Sequence, residues 1–318
     1  MRNVCITGFG AIGPTHAKAL ENIENANFYA VCEINPERAA KAGVKIYSDF
    51  DEMLMDEKID SVHICTPHYL HFEMIKKVLA AGKEVVCEKP VTMTKSEFEQ
   101  LLLLENSDKV CVILQNRLNP CVRKLQSLSA ELGKVTAVKG ILTWKRTMDY
   151  YNQDAWRGKW ATEGGGVLIN QAVHTLDLMG YLAGDVKSLR AQMTNFSLDE
   201  IEVEDTFSAH LCYENCTGIF FATNAYGSNS APQIEVTYEN GFARYMDGKL
   251  FVNGELVEED SKPQYGKTYW GSGHAMLFKN YYEKGEYFSP HDIKNTMHTM
   301  FAMYESAKNN CAKIEIEE

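Results

Sequence analysis

The residues best suited to chemistry follow a triple glycine. Gly164-Gly165-Gly166 runs straight into a segment of helical spacing that carries Asn170, His174 and Asp177. In a helix, side chains three and four residues apart share a face. A flexible glycine stretch would therefore feed one rigid element presenting an imidazole, the side chain whose proton moves near neutral pH, beside an amide able to orient it. Taken alone, a helical histidine is more often a satisfied, half-buried residue than an acid or base. Two other clusters close strand-like runs: Cys65-Thr66-Pro67-His68-Tyr69-Leu70-His71, and Glu88-Lys89-Pro90. Pro90 stiffens the turn that aims Lys89 outward. Lysine is usually a solvated surface residue, and spacing alone does not single Lys89 out for catalysis.

A third cluster points to a ligand. The run 4–7 leads into Gly8-Phe9-Gly10-Ala11-Ile12-Gly13, which opens a helix, and Glu33 closes the next strand-like run about twenty residues on. The first glycine allows the tight turn, the second lets backbone approach a pyrophosphate, and the third permits close helix–strand packing. Glu33 would accept from the adenosine ribose hydroxyls and repel a 2′-phosphate, which favours NAD. Arg38 could meet such a phosphate, so NADP is the alternative.

The elements that must hold these groups are legible in the pattern. Short Val/Ile/Cys-rich runs at 3–7, 28–33, 61–66, 84–88 and 110–114 alternate with amphipathic segments at 14–24, 36–42, 69–81 and 95–104. This is the signature of an α/β doubly wound parallel sheet covered on both faces. After Pro120 the rhythm becomes longer strands with two-sided alternation at 135–144, 188–196, 206–213 and 218–223. Asn240-Gly241 and Asn253-Gly254 read as tight hairpin turns of an antiparallel sheet. Helical patterns follow the glycines and recur at 274–282 and 291–309. The expected organisation is a dinucleotide-binding domain over 1–119 and an α+β substrate-binding and oligomerisation domain over 120–318. A cleft between them would be the natural ligand site.

Composition narrows the function. A chain of 318 residues with a formal charge of −11 and no basic stripe argues against nucleic acid or an anionic membrane as partner. The N-terminus enters a strand pattern with no leader-like or membrane-length apolar run, so a cytoplasmic location is expected. Nine cysteines, several inside apolar runs, read as thiols, and Cys212 and Cys216 have no matching second pair, so no metal site is expected.

Together these motifs make the chain similar to the glucose-fructose oxidoreductase, inositol dehydrogenase and MocA family. The resemblance covers nearly the whole length. It rests on the Gly8 to Gly13 fingerprint, Thr66-Pro67 followed by His71, Glu88-Lys89-Pro90, Gln115-Asn116-Arg117 before Pro120, and Trp156-Arg157. The glycine run into His174 and Asp177, and Tyr269-Trp270 with Gly273-His274, complete it.

The resemblance implies a Rossmann domain followed by a large open antiparallel sheet through which homodimers or homotetramers form. It also implies hydride transfer between a nicotinamide cofactor and a secondary alcohol or ketone of a sugar, cyclitol or sugar derivative. Lys89 then resembles the lysine that hydrogen-bonds the reacting oxygen, and His174 the general acid/base. Asn170 stands where family members often have Asp and is read as a positioning residue. Cofactor contacts are expected from Gly8, Phe9, Gly10, Ala11, Ile12 and Gly13, from Glu33 and Arg38, and from Cys65, Thr66, Pro67, His68 and His71. Glu88, Lys89, Gln115, Trp156 and Arg157 complete that set. Substrate contacts are expected from Lys89, Tyr150, Trp156, Asn170, His174 and His274, within an aromatic and cationic stretch at 144–160 that could wall a sugar site. Two rival readings are a redox-neutral NAD-dependent glycosidase and a non-catalytic NAD(P)-binding regulator. The second needs neither Lys89 nor His174.

Overall fold

The computed structural model describes residues 1–261 and 272–316. The chain divides into two compact units, Met1–Gln115 with Pro263–Asp292, and Asn116–Lys262 with Ile293–Glu318.

The first unit is built on six strands: β1 Arg2–Thr7, β2 Ala26–Cys32, β3 Lys45–Tyr47, β4 Ser61–Ile64, β5 Glu84–Cys87 and β6 Val110–Val112. All neighbouring pairs are parallel, in the order β3-β2-β1-β4-β5-β6. The strands are apolar without alternation because both faces are covered, and Val4, Cys5, Ile6, Val62, Ile64, Val85 and Val86 have no exposed surface. Strand order reverses between β1 and β4. That is the switch point where loops leaving the carboxyl ends diverge and leave a crevice. Local chemistry sets the intervening helices. Asn35 caps Pro36–Ala40 by accepting from the Glu37 and Arg38 amides, and Thr94 with Glu97 forms a reciprocal capping box for Lys95–Leu103. The helix Gly273–Lys279 and the wider turn Asn280–Lys284 also belong to this unit, where Phe278 is fully buried and Tyr282 bonds Ser61 and His63.

The second unit carries β7 Val135–Thr143, β8 Val186–Thr194, β9 Thr206–Tyr213, β10 Thr217–Thr223 and β11 Gln233–Tyr238. It continues with β12 Gly241–Met246, β13 Lys249–Val252, β14 Glu255–Glu259 and β15 Ile314–Glu315. They form one nine-stranded sheet in the order β14-β13-β12-β11-β7-β10-β9-β8-β15. The sheet is antiparallel except for β7 and β10, which run parallel because the long excursion from β7 through β8 and β9 brings β10 back beside it. Asn253-Gly254 turns the β13/β14 hairpin with both residues at positive φ, as its composition predicts. The β11/β12 turn instead falls on Glu239-Asn240, and Gly241 is the first residue of β12, where an added Cβ would lie 2.6 Å from Asn253 Oδ1. Asp247-Gly248, with the same left-handed chemistry, turns β12 into β13.

One face of this sheet is covered by the helices Val173–Ala183 and Lys294–Lys308. Gly140 in the middle of β7 lets the first of them close in: a Cβ there would collide with Met179 and lie 2.9 Å from Thr175. The other face leaves Ile219, Phe242 and Met246 exposed. Among the described residues no helix is long and apolar enough to cross a membrane.

Candidate active site

In the first unit the glycine loop leaves β1 as the fingerprint predicts, and its three glycines do different work. Gly8 has φ +86°, and an added Cβ would lie 2.7 Å from the Cys65 carbonyl oxygen. The loops after β1 and β4 therefore touch through backbone. Gly13 is packed as tightly, with its Cβ position 2.5 Å from Gly8 O. Gly10 alone faces space: the nearest atom to its Cβ position is Arg38 Nη1 at 3.7 Å. No side chain caps the helix Gly13–Leu20, and Pro14 removes one of its first donors. A bare glycine cradle before an uncapped helix N-terminus is the donor arrangement a pyrophosphate requires.

Glu33 is buried at the end of β2. Its carboxylate accepts from Phe9 N at 2.7 Å and from Asn35 N at 2.8 Å, so it braces the glycine loop while keeping lone pairs for ribose hydroxyls. Phe9 is buried and stacks on Phe28, whereas Ala11 is exposed and Ile12 half-buried.

The loops after β4 and β5 are fastened to each other by His71. Its Nδ1 lies 2.7 Å from Pro90 O and its Nε2 2.8 Å from Thr66 O, and a neutral ring donates to one of them at a time. Burial pulls the His71 pKa down. His71 is thus placed to position the Thr66-Pro67 and Lys89-Pro90 turns, with its own ring out of solvent. Cys65 and His68 are buried, and Thr66, Pro67 and Lys89 are half-buried. Gln115 is buried under Gly273, whose Cβ would collide with the Gln115 carbonyl.

Behind these loops lies a buried polar cluster that spacing alone does not reveal. His16, on the first helix, approaches Glu88 Oε1 with Nε2 at 3.1 Å and His63 Nδ1 with Nδ1 at 3.0 Å. His63 Nε2 lies 2.8 Å from the Tyr282 hydroxyl, which lies 2.8 Å from Ser61 Oγ. His274, expected at the substrate, is buried with Nε2 3.6 Å from Glu88 Oε1. Burial alone would raise the Glu88 carboxyl, but hydrogen bonds from His16 and His274 outweigh it and hold the group well below the usual carboxylate range. Burial lowers both His16 and His63, which keeps the rings neutral. The only local hints are a histidine facing inward from a helix and another inside the apolar strand β4.

In the second unit the triple glycine is a close-packing device and not a flexible link. A Cβ at Gly165 would strike the Tyr304 hydroxyl, and one at Gly166 the Glu204 carbonyl. The Glu204 carboxylate accepts from Gly166 N at 2.9 Å, Leu168 N at 3.1 Å and Tyr304 OH at 2.9 Å. Residues Val167–Ala172 form a π-helical turn before the α-helix Val173–Ala183, a widening that re-aims Asn170 relative to a regular helix. His174 is half-buried on the first turn of that helix. Asp177 accepts from Arg117 Nε at 2.9 Å, Arg117 Nη2 at 2.6 Å and Thr296 Oγ1 at 2.7 Å, so its carboxylate serves a buried ion pair.

Asn170 donates through Nδ2 to the fully buried Glu163, whose other oxygen accepts from Gly158 N. This gives a reason for the amide: an Asp here would set two carboxylates against each other. The Tyr150 hydroxyl accepts from Arg157 Nη1 at 2.5 Å and Gln171 Nε2 at 3.0 Å, and Asn224 holds Gln171 Oε1 at 3.0 Å. Glu163, Gln171 and Asn224 escaped the sequence reading. The stretch at 144–160 folds into alternating rings and cations. Arg146 lies 4.7 Å over the Trp144 ring and 5.1 Å over Tyr150, and Arg157 lies 4.5 Å over both Tyr150 and Trp156. The Tyr269-Trp270 pair lies outside the described residues.

Residues 2–116 match the family model described as an oxidoreductase family with an NAD-binding Rossmann fold, and residues 122–244 match the GFO/IDH/MocA C-terminal domain. The chain belongs to the GFO/IDH/MocA oxidoreductase family. Among curated relatives of the family, it is 27% identical to an uncharacterized oxidoreductase of Bacillus subtilis, over 66% of this chain and 63% of the relative. It is 26% identical to the levoglucosan dehydrogenase of Pseudarthrobacter phenanthrenivorans, over 61% and 54%. These matches thus span less than two thirds of each relative's length. Among solved GFO/IDH/MocA-like structures, the WlbA dehydrogenase of Bordetella pertussis, in complex with NADH and UDP-GlcNAcA, superposes with a TM-score of 0.85. Its identity is 26%, covering 100% of this chain and 99% of that one. A levoglucosan dehydrogenase complex with NADH and levoglucosan shares the fold, with a TM-score of 0.87, 23% identity and full coverage of both chains.

Proposed function

We propose that this chain is an NAD-dependent oxidoreductase acting on a secondary alcohol or ketone of a sugar, cyclitol or sugar derivative. The observation that carries this reading is the Gly10 cradle before the uncapped helix Gly13–Leu20, braced by Glu33. The NADH complexes of the structural relatives support it. NAD, when bound, supplies hydride acceptance and return at its nicotinamide ring. Glu33 would bind the ribose hydroxyls and disfavour a 2′-phosphate, and Arg38, beside Gly10, would meet the pyrophosphate charge.

Lys89 would hydrogen-bond the reacting oxygen and stabilise it as it becomes alkoxide-like. His174 would take the hydroxyl proton in oxidation and return it in reduction. Asn170, held by Glu163, would fix a substrate hydroxyl or the imidazole without storing a proton. The Trp144–Arg146–Tyr150–Arg157–Trp156 ladder suits a sugar, since ring faces cover C–H surface while guanidiniums meet hydroxyls or acidic groups. A homodimer or homotetramer through the open sheet face, where Ile219, Phe242 and Met246 are exposed, fits the same reading.

Screening sugars, inositols and sugar acids with NAD while following NADH absorbance tests the reaction. Substrate consumption with no NADH formed would favour a redox-neutral reaction instead. Lys89→Ala and His174→Ala should each lower kcat/KM by more than about a hundredfold, with NADH affinity little changed. Equal losses of turnover and cofactor affinity would overturn the assigned roles.

A further inference from the structure

His16 Nε2, Glu88 Oε1 and one ring nitrogen of His274 all lie within 4.8 Å of one another in the buried interior of the first unit. Two separations are short: 3.1 Å from His16 to Glu88 and 3.6 Å from His274 to Glu88. In tetrahedral zinc coordination, metal–ligand bonds of about 2.1 Å put neighbouring donors about 3.4 Å apart. These two edges bracket that value, and the three donor atoms lie within 4.8 Å of one another. We propose that His16, Glu88 and His274 form a binding site for one divalent transition-metal ion, with zinc the best match.

The donor set is what such an ion selects: two imidazoles and a single carboxylate, all buried. Glu88 meets the His16 imidazole at 3.1 Å, the His274 ring at 3.6 Å and the Lys89 amide, 3.2 Å from Oε2. A bound ion would balance the buried carboxylate. With Oε2 kept by that amide, Glu88 would ligate through Oε1 alone, leaving the fourth vertex to water.

The outer shell adds a second, independent reason. A ligating histidine needs its other nitrogen protonated and bonded. His16 Nδ1 faces His63 Nδ1 at 3.0 Å, and His63 Nε2 faces Tyr282. Without metal, Tyr282 O–H donates to His63 Nε2, His63 Nδ1–H donates to His16 Nδ1, and His16 Nε2–H donates to Glu88. With metal on His16 Nε2, the proton of each histidine moves to its other nitrogen. His16 Nδ1–H then donates to His63 Nδ1, and His63 Nε2–H to the tyrosine oxygen. Each ring keeps one proton, the His16–His63 and His63–Tyr282 contacts are retained with their direction reversed, and the ion takes the place of the His16–Glu88 hydrogen bond. The ion would tie the helix Gly13–Leu20 and the helix Gly273–Lys279 to the turn that carries Lys89, a structural role distinct from hydride transfer.

Chelator-treated full-length protein titrated with Co²⁺ tests the site. The expected result is one ion per chain and the visible bands of a tetrahedral ion. Thiolate-to-metal charge transfer should be absent, and Zn²⁺ should displace the Co²⁺. His274→Gln and Glu88→Gln should weaken binding by more than about tenfold, whereas His291→Gln in the same unit should not. Absence of the visible bands, a thiolate signature, or unchanged affinity in both variants overturns the proposal. Should the variants fail to fold, the wild-type stoichiometry and spectrum decide it alone.

Discussion

Replacing Glu204 by glutamine should remove most of the pH dependence of stability in the second unit. Burial raises this carboxyl from 4.5 to about 7, against the pull of hydrogen bonds from Leu168, Gly166 and Tyr304. Because the folded pKa exceeds the unfolded one, the stabilisation is fully present below pH 4.5 and is lost as pH rises through about 7. The rise of about 2.5 in pKa is worth about 3 kcal/mol in total at about 1.36 kcal/mol for each pK unit. Of this, about 2 to 3 kcal/mol falls between pH 5 and pH 8. Denaturant unfolding of the full chain at pH 5, 6, 7 and 8 measures it. The wild type should lose that amount relative to Glu204→Gln, even if the variant is the less stable of the two at pH 5 for want of an acceptor at Gly166. Parallel stability curves for the two proteins would refute the argument, because they would mean that Glu204 is ionised in the fold as readily as in the unfolded chain.

Two further substitutions test the loops. Gly8→Ala should destabilise the first unit by several kcal/mol, with φ +86° and the Cys65 carbonyl 2.7 Å from the new Cβ. Gly10→Ala should fold normally, with its Cβ 3.7 Å from Arg38, yet bind NADH more than about tenfold more weakly. Thermal melts and fluorescence titration separate the two, and normal cofactor affinity in Gly10→Ala would count against the cradle. Asn170→Asp should cost about 2 kcal/mol by facing the buried Glu163, and adding Glu163→Gln should restore most of it. A double-mutant cycle with no coupling would show that Glu163 does not dictate the amide.

Much of the fold is written locally. A strand that ends in Gly8, a helix that opens at Gly13 and an acid closing the second strand are each demanded by neighbours in sequence, so the NAD-binding class follows from spacing. Alternation of buried and exposed residues likewise marks β9 and β10 as one-faced, while continuous apolar runs mark β1 and β4 as two-faced. Hairpin register was less legible. Asn240-Gly241 looks like a turn, but its glycine is needed for the approach of Asn253.

By itself, then, the sequence determined the parallel sheet and the dinucleotide loop, because dihedral freedom, periodicity and motif spacing act over a few residues, and it offered Lys89 and His174 as candidates through the family resemblance. Tertiary structure decided how those residues are held. The triple glycine gains its meaning from Glu204, 36 residues beyond Leu168, and from Tyr304. Asn170 gains its meaning from a buried Glu163, and Asp177 is committed to Arg117. The His16–His63–Glu88–His274 cluster is assembled from four stretches of chain, with Tyr282 219 residues from His63. No local signal marks such groups, because a buried polar side chain is tolerated only when distant partners satisfy it, and their position is fixed when the chain packs.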